Sequence, residues 1–182
     1  MYNSSIVIFG YMTFKRFEVD FFTASILGWK HLLKPERYKR ILIDSLHYLV
    51  QKQRVYLNAF VLMDNHIHLL WQIRVGNTRP QVQRDFLKFT AQQIQKDLYK
   101  HHPEGLEHFC VSAKDRKYQI WERNALSVAI WSEAIFYQKL AYIHQNPVRA
   151  GLCASPEAYV YSSAAFYLTG EDRFGILNPI AY

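Results

Sequence analysis

Apolar positions along this chain of 182 residues recur with two periodicities, one typical of strands and one typical of helices. Alternating or continuous apolar runs bounded by turn residues predict strands over residues 21–27, 55–63, 66–73, 117–122 and 125–131. Apolar residues at helical spacing predict helices from Pro35 to about residue 53, from Pro80 to about residue 99, and over residues 133–146, where Pro147 is expected to end the helix. A loop over residues 101–105, a turn near Pro156 and a short helix over residues 162–168 complete the prediction.

The second and third predicted strands are joined by Asp64 and Asn65 alone, a link that suits a tight hairpin. Asp64 is therefore expected to serve the turn and not to bind a ligand. Hairpins and helices follow one another without regular β-α-β alternation. This order predicts an α+β fold with helices packed on an antiparallel sheet. We expect one domain over residues 20–182, after an N-terminal extension over residues 1–19.

The net charge of +7 is distributed unevenly along the sequence. Residues 1–100 contain 15 Lys and Arg against 7 Asp and Glu, whereas residues 101–182 contain 7 against 8. A basic surface on one side attracts polyanions such as nucleic acids, although an ordinary solvated surface gives the same composition.

Two cysteines, Cys110 and Cys153, form no disulfide framework, and no apolar run approaches the roughly 18–20 residues that span a bilayer. We therefore expect a cytoplasmic protein without a membrane partner.

Candidate chemistry begins with His66 and His68, which alternate with aliphatic residues in the strand segment VLMDNHIHLLWQI. Side chains two residues apart on a strand point the same way, so the two imidazoles supply half of a metal site. A single histidine here would more simply be a half-buried packing residue. Asn146 is the candidate third ligand, because its amide oxygen suits Mg²⁺ or Mn²⁺; its alternative role is to end the helix before Pro147.

A candidate nucleophile, Tyr142, precedes Asn146 by one helical turn and so shares its face of the helix. A phenol is almost entirely protonated at neutral pH, so its attack on a phosphodiester needs help from a cation. Lys139 is a candidate for assisting Tyr142, although a surface lysine is the simpler interpretation. Arg149, just past the predicted helix, can hold a phosphate.

Two of these segments resemble one known family. The segment NHIHLL resembles the His-hydrophobic-His motif of HUH endonucleases, and YIHQNPVRAG resembles the tyrosine helix of REP-associated tyrosine transposases, the single-tyrosine HUH group related to IS200-like transposases. The order and spacing of the two motifs, the intervening segment FLKFTAQQIQKDL and the later segment PEAYVYSSAAFY also fit that group. The resemblance covers residues 21–168.

This resemblance implies a ferredoxin-like, RRM-like α+β fold and a nucleoid-associated enzyme that acts on single-stranded DNA carrying a hairpin. It implies that His66 and His68 bind the metal, and that Tyr142 forms a 5′-phosphotyrosine link and leaves a free 3′-hydroxyl. Asn146 stands where related insertion-sequence transposases carry a glutamine as third ligand. The resemblance leaves two assemblies open: a monomer, or a homodimer in which Tyr142 serves the histidines of its partner.

Candidate DNA-binding residues follow from charge alone. They are Arg37, Lys39, Arg40, Arg74, Arg79, Arg84, Lys88 and Arg149. Two other functions remain open at this point: a hairpin-binding protein that no longer cuts, and a metal-dependent phosphodiester hydrolase that uses water, with Tyr142 as a structural residue.

Overall fold

The computed structural model describes residues 18–178. Its strands are β1 Val19–Ser25, β2 Val55–Leu62, β3 His66–Ile73, β4 Cys110–Ala113, β5 Arg116–Tyr118 and β6 Leu126–Ile130. Its α-helices are α1 Glu36–Gln51, α2 Arg79–His101, α3 Pro103–Glu107, α4 Glu133–Arg149 and α5 Ala164–Thr169, and short 3-10 turns occupy Leu27–Trp29 and Pro156–Ala158. Within the described range, no helix is long and apolar enough to cross a membrane.

Four strands form the central antiparallel sheet in the order β2-β3-β1-β6. With α1 between β1 and β2, and α2 between β3 and β6, this is the β-α-β-β-α-β arrangement of a ferredoxin-like fold. The predicted α+β class is therefore confirmed. The strands β4 and β5 form a separate hairpin between α3 and β6.

The two faces of the sheet carry two separate apolar cores, because side chains alternate along each strand. One face packs against α1 and α2, and its largest buried side chain is Trp71, which stacks on Phe22 with ring centroids 5.1 Å apart. The other face packs against α4, through Phe136, Leu140 and Ile143. Odd-numbered residues of β3 therefore face α1 and α2, and even-numbered residues face α4.

The hairpin between β2 and β3 turns at Asp64 and Asn65 as expected, closed by the Met63 N–H donating to the His66 carbonyl at 2.8 Å. The Asp64 carboxylate forms an ion pair with Lys39 Nζ at 2.6 Å. The Asn65 carbonyl accepts from the Ile26 N–H at 2.8 Å. These contacts fix the start of β3, where the two histidines lie.

Two local predictions were wrong at prolines. The predicted loop over residues 101–105 is replaced by the last residue of α2 and the start of the short helix α3, because Pro103 suits the first helical position and the turn buries Leu106. The last long helix continues through Pro147 to Arg149. Pro147 lies in the final turn, so little intrahelical bonding is lost, and the helix ends before Gly151, whose φ of +68° is left-handed.

A buried carboxylate on β1 gives the fold a pH-dependent element. Asp20 is 3% exposed and forms an ion pair with Arg79 at 2.7 Å. Burial raises the pKa of Asp20, and the charge of Arg79 offsets only part of that rise. Because the pKa of Asp20 is raised in the folded state, folding favours the protonated carboxyl. The contribution of Asp20 to the free energy of unfolding is therefore greatest at low pH, and it is lost as pH rises through the folded-state pKa.

Arg79→Gln is expected to lower the free energy of unfolding at neutral pH by about 1–3 kcal/mol, since it leaves the Asp20 carboxylate buried without a counter-charge. The deficit should shrink as acid protonates Asp20. Chemical denaturation at neutral and mildly acidic pH measures it, and Asp20→Asn in the same background should restore stability at neutral pH. A deficit that is independent of pH and survives Asp20→Asn would contradict this account.

Candidate active site

His66 and His68 lie on the face of β3 that meets α4, with their ring centroids 4.8 Å apart. The register of the sheet places Ser25 opposite His66 and Thr23 opposite His68 on the neighbouring strand β1. The expectation that both imidazoles share one face is therefore confirmed. What this face offers chemically depends on which ring nitrogens are already engaged.

His68 is 5% exposed and has one nitrogen engaged. Its Nδ1 forms a 2.7 Å hydrogen bond with the Thr23 hydroxyl, and its ring stacks on Phe21 with centroids 5.3 Å apart. Its Nε2 is buried and has no hydrogen-bond partner among residues 18–178. Burial lowers the pKa of His68 to about 3, and the positive charges of His66 and Lys139 add to the effect. The imidazole is therefore neutral near pH 7, and in the tautomer whose Nδ1–H donates to the Thr23 hydroxyl its Nε2 lone pair is free to bind a metal.

His66 is held by its own turn. Its Nδ1–H donates to the Asn65 Oδ1 at 2.7 Å, and the Trp29 indole lies 5.6 Å from its ring centroid. Burial lowers the pKa of His66, and a hydrogen bond with the Asn146 side chain partly offsets that shift. The Asn146 amide, one of the candidate ligands, therefore lies near the first histidine.

Tyr142 approaches the pair from α4, which packs its apolar side against the same face of the sheet. The Tyr142 ring lies 5.4 Å from that of His68 and meets it edge to face. Its side chain is 41% exposed, so the phenol can meet a large substrate. The candidate nucleophile and the two candidate histidine ligands therefore converge within one chain.

Two cations flank the phenol. Lys139 Nζ lies 6.0 Å from the Tyr142 ring centroid and 4.8 Å from that of Phe21. The Arg149 guanidinium carbon lies 5.9 Å from the Tyr142 ring centroid. Lys139 and Arg149 are thus the basic residues placed to meet an anion bound beside Tyr142.

His144 lies between Tyr142 and Asn146 in sequence, but its side chain turns away from them and forms a 2.8 Å hydrogen bond with the Ser163 hydroxyl.

These residues fit a divalent cation. In the described part of the chain no group of three His, Cys, Asp or Glu side chains is placed to hold a metal, so a third protein ligand must be of another type. The Asn146 amide supplies an oxygen beside His66. A buried imidazole nitrogen without a partner, such as His68 Nε2, is costly unless something binds it. Two neutral imidazoles and an amide are a donor set for a labile metal and not for a closed structural zinc site.

The candidate DNA-binding residues divide into separate groups. The prediction that Lys39 contacts DNA was wrong. Lys39 is 4% exposed and its ammonium forms an ion pair with Asp64, so it cannot reach DNA. Arg79 and Arg74 are partly engaged, Arg79 by Asp20 and Arg74 by the Tyr56 ring at 4.4 Å.

Other candidates lie on the far helical layer. Arg37 and Arg40 on α1, and Arg84 and Lys88 on α2, are exposed. These helices pack on the face of the sheet opposite to the histidines, so any DNA contact there is distant from the pair. A role for these four residues remains a prediction.

Several site residues were missed by the sequence analysis. Phe21 and Thr23 contact His68 from β1, Asn65 orients His66, and Trp29 covers the His66 ring. The sequence around Asn65 predicts only a turn. Alternation along β1 places Phe21 and Thr23 on one face, but the pairing register that brings them to His68 is absent from the linear pattern.

The hydrogen bond between Thr23 and His68 gives a testable prediction. A partner on the second ring nitrogen fixes the orientation of a metal-binding imidazole, and losing it typically weakens metal affinity about 10–100-fold. Thr23→Val keeps the shape but removes the hydroxyl, so a Mn²⁺ titration should show that loss, and Thr23→Ser should restore affinity. Thr169→Val is the matched control, because the Thr169 hydroxyl bonds the Ala165 carbonyl instead of an imidazole. Unchanged Mn²⁺ affinity in Thr23→Val would mean that the bond does not orient a ligand.

Comparison with known proteins supports the fold. No protein-family model matches this chain, and neither does any curated protein. Among solved structures, the chain is similar to a REP-associated tyrosine transposase bound to a REP hairpin, with 18% sequence identity and a TM-score of 0.63 over 92% of this chain and 89% of that one. A transposase candidate from Deinococcus radiodurans also matches, with 16% identity over 70% of this chain and 88% of that one, but its TM-score of 0.47 does not establish a shared fold. The first likeness confirms, at the level of fold, the resemblance indicated by the two sequence motifs.

Proposed function

We propose that this protein is a metal-dependent single-stranded DNA endonuclease and strand transferase of the REP-associated tyrosine transposase type. Tyr142 is the nucleophile, His66, His68 and Asn146 bind a divalent cation, Mg²⁺ or Mn²⁺, and Lys139 assists. The substrate is DNA with an unpaired segment beside a hairpin. The similar solved structure is bound to a REP hairpin, and that supports hairpin DNA as the partner here.

One observation carries the proposal: a partly exposed phenol lies against a buried imidazole that has a free nitrogen. The Tyr142 and His68 rings are 5.4 Å apart, and His68 Nε2 has no partner within residues 18–178. A purely structural aromatic cluster would not need the second histidine, the Asn146 contact and the two flanking cations. Together these groups can bind a metal and a phosphate beside a nucleophile.

Strand transfer by these residues needs no external energy source, because each step forms one phosphorus–oxygen bond and breaks another. Attack of Tyr142 Oη on the phosphorus forms the phenol–phosphorus bond and breaks the bond to the 3′-oxygen, which leaves as a 3′-hydroxyl after taking up a proton. Because the Tyr142 side chain is 41% exposed, solvent can take the phenolic proton. Lys139 and Arg149 lie close enough to stabilise the developing negative charge. Reversal by a 3′-hydroxyl joins strands and frees Tyr142.

A bound divalent cation would supply charge stabilisation on the non-bridging phosphate oxygens. His66 and His68 would hold it through neutral nitrogens, and Thr23 and Asn65 fix the orientation of their rings. Asn146, on the helix of Tyr142, links the ligand set to the nucleophile.

Formation of a covalent adduct tests the proposal. Incubation with stem–loop DNA carrying unpaired flanks and Mn²⁺ should give a protein–DNA species that survives SDS, and chelation should prevent it. Free cleaved ends without any adduct would favour the hydrolase. Binding without cleavage in any divalent metal would favour a binding protein that does not cut.

The geometry also predicts that the site works within one chain, since Tyr142 lies against its own His68. Mixing Tyr142→Phe protein with His68→Gln protein is therefore expected to give no more adduct than either variant alone. A composite dimer would restore activity in the mixture, because one of its two sites would contain both native groups. Restored adduct at a substantial fraction of the wild-type amount would show that Tyr142 serves a partner's histidines.

A further inference from the structure

A second feature adjoins the histidine pair: an open cleft of about 590 Å³ between the end of β1 and the segment that precedes β6. Thr23 and Ser25 form part of its wall, and these residues lie opposite His68 and His66 in the sheet. Trp29 and Asn124 line other parts. The volume falls within the roughly 300–1,000 Å³ of small-molecule sites. The cleft therefore extends the candidate active site along the sheet.

Trp29 lies on this cleft in an unusual conformation. It is 59% exposed, and its φ of +55° is left-handed, which is rare for a bulky residue. The preceding Gly28 has a φ of +64°, and its N–H donates to the Glu122 carboxylate at 2.8 Å. Strained backbone of this kind persists only where the surrounding structure imposes it. The turn thus holds an exposed indole beside His66, 5.6 Å from its ring centroid.

The polar wall of the cleft has hydrogen-bonding capacity to spare. Within residues 18–178, the Asn124 amide and the Ser25 hydroxyl make no side-chain hydrogen bond, while Glu122 is used to hold Gly28. Arg123 lies at the same wall, with its guanidinium 3.5 Å from Asp115. An aromatic surface with a free amide and a cation nearby matches a planar base attached to a phosphate.

We propose that this cleft binds one unpaired nucleotide next to the scissile linkage, with its base stacked on Trp29 and its edge hydrogen-bonded by Asn124. This inference rests on the proposed function, and it identifies residues that position the DNA. Aromatic side chains bind unpaired bases by stacking, whatever the sequence, and amide side chains add hydrogen bonds to base edges. The nucleotide in the cleft would fix which phosphate lies at Tyr142.

Binding of stem–loop DNA with unpaired flanks tests the inference in a Tyr142→Phe background, where covalent trapping cannot contribute. Trp29→Ala should weaken binding about five- to 150-fold, the range for losing one stacked base, and Trp29→Phe should keep most of the affinity. A scan of abasic sites should find one flank position where removing the base weakens binding to the Trp29 protein but not to the Trp29→Ala protein.

The matched control is Trp131→Ala, because Trp131 is also exposed, at 73%, but lies away from the cleft. Leu126, at the start of β6, lines the cleft, whereas Trp131 follows the end of that strand. It should bind as the parent protein does. Equal affinity of the Trp29 and Trp29→Ala proteins, no abasic position with the expected dependence, or no binding of flanked DNA by either protein would each overturn the inference. Failure of the proposed chemistry appears separately, as the absence of an adduct in protein that retains Tyr142 and binds this DNA.

Discussion

Tyr142→Phe is expected to eliminate the covalent protein–DNA adduct and to reduce DNA cleavage by at least about a thousand-fold, as removal of a nucleophile does in other enzymes. The substitution removes only the hydroxyl. The ring can keep its edge-to-face contact with His68, so the fold and DNA binding should persist. Adduct formation on SDS gels and cleavage rates with labelled stem–loop DNA measure the effect.

Tyr99→Phe is the matched control for this experiment. Tyr99 is 75% exposed on α2, in the helical layer on the opposite face of the sheet from the histidines. It should form the adduct at the wild-type rate. If Tyr142→Phe protein still cut DNA, water would be the nucleophile and the hydrolase interpretation would replace the transferase.

The second large effect concerns the metal ligands. His66→Gln and His68→Gln are each expected to reduce cleavage about 100- to 1,000-fold, because the phosphate would lose its charge stabilisation. DNA affinity should change by only a few-fold, since most of the binding energy comes from contacts away from the scissile phosphate. Cleavage rates and equilibrium binding, measured on the same oligonucleotide, separate these two outcomes.

A matched histidine variant is His47→Gln on α1, where the ring bonds Gln51 at 2.7 Å and lies in the other helical layer. It should preserve both activities. Circular dichroism checks the fold of the His68 variant, because that ring is buried against Phe21. Parallel loss of binding and cleavage in folded protein would mean that the pair is structural.

Much of the fold was predictable from short-range pattern. The β2–β3 hairpin follows from two apolar runs joined by Asp64 and Asn65, and alternation along β3 places His66 and His68 on one face. The four-residue spacing of Tyr142 and Asn146 follows from helical geometry. These are local rules, so they required no knowledge of the sheet order.

The rest depended on tertiary packing. Lys39 has the same charge as its exposed neighbours, and only the approach of the β2–β3 turn makes it a buried partner of Asp64. Thr23 reaches His68 through a strand register that the sequence does not encode locally. Trp29 is exposed and lies in a left-handed Gly28–Trp29 turn, a conformation that propensity disfavours for tryptophan.

The central claim is that the phenol of Tyr142 becomes joined to DNA beside the histidine pair. Trypsin cuts after Lys139 and Arg149, and the peptide LAYIHQNPVR between these sites contains Tyr142 as its only tyrosine. Mass spectrometry of the nuclease-trimmed adduct should therefore find this peptide carrying a 5′-linked nucleotide, only when a divalent metal was present. A nucleotide attached to any other peptide, or cleaved DNA with this peptide unmodified, would contradict the account.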